Sequence, residues 1–158
     1  MRTQRARGWT LGLVVMFAAM TACGAREPSA PPAQITLTLT DNACVGEGLG
    51  ALIPEHFVAT FVNKTSRAAV FNVQRMNDGH AYGELELHIA EQQRRFMANE
   101  DQLNPPSFTS RVAIANVEPL QSHQFDQTLL SGTYGLVCRG VKTPLLWSAY
   151  VVGPLRVP

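Results

Sequence analysis

Ile35-Thr36-Leu37-Thr38-Leu39-Thr40 alternates apolar and hydroxyl side chains without a break. That period puts Ile35, Leu37 and Leu39 on one face and predicts a half-buried β-strand. Phe57 to Val62 is rich in β-branched and aromatic residues. The turn-forming run Asn63-Lys64-Thr65-Ser66 separates it from Ala69-Val70-Phe71-Asn72-Val73, where extended character resumes. These two segments read as a hairpin. Further strands are predicted at 112–117, 123–129 and 133–138, with a last one from Trp147 to Val152. Seven or so short strands punctuated by turns predict an antiparallel β-sandwich, with Phe71, Phe125, Tyr134 and Trp147 as its core aromatics.

From Glu84 to Asp101 the period changes. Leu85, Ile89, Phe96 and Met97 fall on one side of a helix, with Glu91, Gln92, Arg94, Arg95 and Glu100 mostly on the other. A short helix is expected, stopped by Asn104-Pro105-Pro106-Ser107, because proline has no amide proton with which to continue it.

The N-terminus has a different pattern. Arg2, Arg5 and Arg7 precede an uncharged stretch from Gly8 to Ala22, which ends at Met20-Thr21-Ala22-Cys23. A positive start, a short apolar run and a small residue before the cut make an export signal, and the run is shorter than the roughly 18 residues of a membrane span. The box resembles that of bacterial lipoproteins, with Met20 in place of the usual Leu. The resemblance implies cleavage after residue 22, lipidation of Cys23 and a membrane anchor facing the periplasm or cell surface. Gly24, where a retained lipoprotein of a Gram-negative cell carries Asp, implies the outer membrane in such a host. A plain secretory signal with an incidental cysteine is the alternative. Residues 23–34 hold three prolines and no large apolar side chain, so they read as a tether. Residues 35–158 then form one domain.

Cleavage removes three of the 13 Lys and Arg and none of the 12 Asp and Glu, leaving a formal charge of −2. Nucleic acid, which needs a basic footprint, is excluded as a partner. Two cysteines remain, Cys44 and Cys138. In an exported chain an even pair reads first as a disulfide, with a pair of thiolate metal ligands as the rival reading.

Four segments carry a family resemblance: Thr40 to Cys44, Phe57 to Asn63, Asn116 to Ser122, and Leu130 to Cys138. In this order and spacing they resemble the EfeO-type cupredoxin-like family of periplasmic iron-uptake lipoproteins and their relatives. The resemblance implies an all-β, cupredoxin-like antiparallel or Greek-key β-sandwich with a short helical insertion at 84–108. It also implies pairing of Cys44 with Cys138, and handling of iron or copper. A type 1 copper centre needs two His, a thiolate and usually an axial Met. Cys138 is followed by Arg139-Gly140-Val141-Lys142-Thr143-Pro144-Leu145-Leu146-Trp147, with neither His nor Met. Ala69-Val70-Phe71 stands where the other His of a copper protein lies. Type 1 copper is therefore expected to be absent.

His80, Tyr82, Glu84, Glu86 and His88 would share one polar face of a strand. In a helix His80, Glu84 and His88 would stack at i, i+4 and i+8. Either geometry offers two imidazoles and a carboxylate for Zn, Cu(II) or Fe; the plainer reading is a solvated face. His56 and His123 read as surface residues, and Asn63-Lys64-Thr65 as a turn rather than a glycosylation site. No His-Glu-x-x-His, Gly-x-Ser-x-Gly or phosphate-binding glycine loop occurs, so no enzyme activity is expected. Two functions follow: a membrane-anchored, non-enzymatic lipoprotein that handles iron or copper, or a metal-free structural module that shows its insertion to an envelope protein.

Overall fold

The computed structural model describes residues 32–50, 52–142 and 145–158. The export signal, Cys23 and the tether through Pro31 lie outside that range, as does the side chain of Trp147. In chain order the elements are β1 (Ala33–Leu39), β2 (Cys44–Glu47), β3 (His56–Asn63), β4 (Ala69–Met76), α1 (Tyr82–Met97), β5 (Thr109–Val117), β6 (Ser122–Thr128), β7 (Gly132–Lys142) and β8 (Leu145–Val157).

The strands form two four-stranded sheets, ordered β2-β1-β3-β6 and β5-β4-β7-β8. All pairs are antiparallel except β1 with β3, which run parallel with Leu37 beside Phe61. The alternation seen in the sequence sets what is buried. Ile35, Leu37 and Leu39 of β1 and Phe57, Ala59 and Phe61 of β3 share one core with Phe71 and Val73 of β4 and Tyr134, Leu136 and Cys138 of β7. Phe61 and Phe71 stack from the two sheets, their rings 4.8 Å apart and inclined by 12°. Such offset aromatic pairs add to the burial of apolar area that holds a sandwich together.

The expected hairpin between Phe57–Val62 and Ala69–Val73 does not form. β3 pairs with β1 and β6, and β4 with β5 and β7, so residues 64–68 carry the chain from one sheet to the other. Asn63 fixes that crossing. Its buried Nδ2 donates to the carbonyls of Arg67 (2.6 Å), Val117 and Glu118 (both 3.1 Å), and its Oδ1 accepts from the amide and hydroxyl of Thr65. The side chain is 1% exposed, so the Asn-Lys-Thr sequence is a turn, as expected.

The helix is present but ends four residues before Asp101. Asn99 takes φ +57°, while the Asn99 amide donates to the Phe96 carbonyl and the Glu100 amide to the Arg95 carbonyl. This is a Schellman-type stop with Asn in the left-handed position usually held by Gly, so the prolines at 105 and 106 are not what ends the helix. Arg94 then forks between Glu91 and Glu100, fixing the first residues of the return segment.

Candidate functional site

Helix α1 lies on the outer face of the second sheet. Leu85 and Ile89 are buried there against Val137 and Ala149, with Met76, Phe108 and Val151 around them. The fit depends on glycine. A Cβ on Gly135 would collide with the Leu85 side chain, and one on Gly153 would lie 3.1 Å from the Tyr82 ring. Gly153 also has φ +148°, a backbone conformation that favours glycine. Gln93 completes the docking, its Oε1 accepting the Ala149 amide at 2.8 Å. Burial, with Glu86 nearby, pushes the Tyr82 hydroxyl up to about 12.

The metal candidates His80, Glu84 and His88 are not assembled into one donor set. The helix begins at Tyr82, so His80 precedes it and the expected i, i+4, i+8 stack on one helix is not made. His80 Nδ1 sits 2.9 Å from Glu84 Oε2, while Glu84 Oε1 accepts the Ala81 amide at 2.9 Å. Both oxygens of the carboxylate thus serve the start of the helix, and these contacts, Ala81 first, hold the Glu84 carboxyl below its ordinary value. His88 packs edge-on against Phe108 (6.0 Å), and the same ring lies 5.6 Å from His80. Among the described residues no group of three His, Cys, Asp or Glu side chains is placed to hold a metal.

Cys44 and Cys138 form a disulfide, with Cα atoms 6.3 Å apart and the two residues 94 positions apart in sequence. Cys44 opens β2 in one sheet and Cys138 lies within β7 in the other, so the bond ties the sheets together across their shared core. Cys138 is fully buried and is flanked by Phe71 of β4 and Tyr150 of β8. A type 1 copper site does not fit these residues. The sulfur is already covalently bonded, its strand neighbours are aromatic rather than imidazole, and the chain after it supplies neither His nor Met.

A third feature was not singled out from the sequence. Asn72 and Gln74 of β4 and Arg139 of β7 alternate with core residues and so project to the outer face, beside the ground covered by α1. Outward polar residues read as solvated. Here the segment after the helix arches over them, and Asn72 is 4% and Gln74 6% exposed. The signal available in the sequence was the Asn72-x-Gln74 period next to an insertion long enough to cover it.

No protein-family model matches the chain, and no curated protein does. Two solved structures, both auracyanins, are similar to it. One is the Na-dithionite-reduced auracyanin of the photosynthetic bacterium Roseiflexus castenholzii, 15% identical over 82% of this chain and 99% of that one, with a TM-score of 0.39. The other is auracyanin B, 16% identical over 83% of this chain and 93% of that one, with a TM-score of 0.40. The chain's own strand order and its one parallel pair define the class: a cupredoxin-like β-sandwich, closed by a disulfide and carrying a helical insertion.

Proposed function

We propose that this chain is a non-enzymatic lipoprotein of the bacterial cell envelope, anchored through Cys23, whose EfeO-type cupredoxin-like domain acts as a metal-free binding module. The observation that carries the reading is the Cys44–Cys138 disulfide. It places a structural cross-link at the cysteine that would otherwise supply a copper thiolate. The lipobox ending at Cys23 supports the anchor, and the Pro-rich tether after it would hold the domain off the membrane surface. The insertion, fixed on the sheet by Leu85 and Ile89, is the surface offered to an envelope protein.

Two measurements test this. Membrane fractionation of cells making the Cys23→Ala variant should release the chain from the membrane. Equilibrium dialysis of the purified chain against Cu(II), Fe(III) and Zn(II) should leave no stoichiometric metal bound.

A second reading, handling of iron or copper, draws on the exposed His80–Glu84 pair at 2.9 Å. It predicts about one metal ion per chain, lost in His80→Ala. That result would replace the metal-free reading.

A further inference from the structure

Beside α1, the outer face of the second sheet holds a cavity of about 190 Å³. A single water needs only about 10–15 Å³ of such space, so the cavity admits a polyatomic ligand. Asn72 and Gln74 form its floor, Thr109 and Arg111 of β5 one side, Arg139 of β7 the other, and Pro105 and Pro106 the roof edge.

The charge in this cavity is unbalanced. Arg139 and Arg111 both line it, and among the described residues neither has a carboxylate partner. The Nε of Arg139 is buried without a hydrogen-bond partner, as are the Nε2 of His88 and the Oδ1 of Asn72. Burial, and then the neighbouring Arg111, hold the Arg139 guanidinium below its ordinary range; burial, and then Arg139, do the same to His88. The charges acting on these two groups are thus cationic. A half-buried cation beside another is costly unless an anion joins them.

We propose that this cavity is a binding site for an oxyanion, the phosphate or carboxylate group of a small molecule. The two guanidinium groups supply paired N–H donors that match such a group in geometry and charge. Thr109 donates its hydroxyl to Gln74 Oε1 at 3.0 Å, which holds the Gln74 amide in place and leaves its NH2 as a further donor. The site lies on the face of β7 opposite Cys138, and it stands or falls separately from the proposed anchoring and metal-free role.

The test is calorimetric titration of the detergent-solubilised full chain with sodium phosphate and, separately, sodium citrate, with ionic strength held constant by sodium chloride. Saturable binding of at least one anion is expected, weakened at least about tenfold in Arg139→Gln, the scale of one lost charged hydrogen-bond pair. Arg111→Gln, on an exposed strand position, should weaken it too and keeps the test decisive if the Arg139 variant does not fold. Preference for phosphate or for citrate identifies the group recognised. No saturable binding of either anion, or binding unchanged in the folded variants, would overturn the proposal.

Discussion

Cys44 and Cys138 are bonded across the sandwich, one at the first residue of β2 and the other within β7, so a single covalent link joins two sheets that, among the described residues, share no backbone ladder. Because they lie 94 positions apart in sequence, the link restricts the unfolded chain over most of the domain. Replacing both by Ser should lower stability by on the order of 4 to 5 kcal/mol in the chain-entropy account. Denaturant unfolding of the variant against the oxidised chain measures it; equal midpoints would mean that the link adds nothing.

Asn63→Ala should be among the most damaging changes at a polar position. It removes the five hydrogen bonds that Asn63 makes at the crossing from β3 to β4, sparing only those between the Thr65 hydroxyl and the Arg67 backbone, and leaves the buried Val117 carbonyl and Thr65 amide without this partner. The expected loss is roughly 2 to 4 kcal/mol. Asn63→Asp should not rescue it, because a carboxylate cannot donate to the Arg67, Val117 and Glu118 carbonyls. Urea midpoints for the two variants decide the point, and a fully stable Asn63→Asp would contradict this reading.

Gly135→Ala should loosen the helix, since the added methyl would occupy space taken by Leu85. A cost of about 1 to 3 kcal/mol is expected, and Leu85→Ala alone should cost about 2 to 5 kcal/mol. The double variant should cost less than the two single changes together, because each removes part of the other's effect. Additive costs would show that helix and strand do not meet as described.

His88 makes stability pH-dependent in a defined direction. Burial first, and Arg139 second, hold its folded value below the ordinary 6.5. As pH falls below 6.5 the unfolded chain takes up a proton that the folded chain does not, so stability declines with falling pH until the folded value is passed. His88→Gln should remove that part of the slope, read as the difference in melting temperature between the two chains across the window. Parallel curves would contradict the assignment.

Much of the sandwich was legible in the sequence because alternation reports burial directly: Ile35, Leu37 and Leu39 are buried as their period requires. Strand β2 was not legible, being four residues of Cys-Val-Gly-Glu with no apolar rhythm. The residues Asn63 to Ser66 are legible as a turn, but that it crosses between sheets is not, since turn chemistry does not say which strands will pair. The insertion's helix followed from Leu85 and Ile89, whereas its end depended on Asn99 entering a left-handed conformation. The His80, Glu84 and His88 grouping assumed one regular element through all three, but the helix starts after the first and Phe108 lies against both imidazoles. The cavity of Arg111 and Arg139 depends on how a distant segment lies over a strand face, which local period does not encode.

Differential alkylation of the unfolded chain as purified, with peptide mass spectrometry and elemental analysis of the same sample, decides whether Cys138 is a cross-link or a metal ligand. For a cross-link, neither Cys44 nor Cys138 is alkylated before reduction, both are alkylated after it, and no stoichiometric iron, copper or zinc accompanies the chain. Alkylation of both before reduction, with about one metal ion per chain, would contradict it and make the two cysteines part of a metal site.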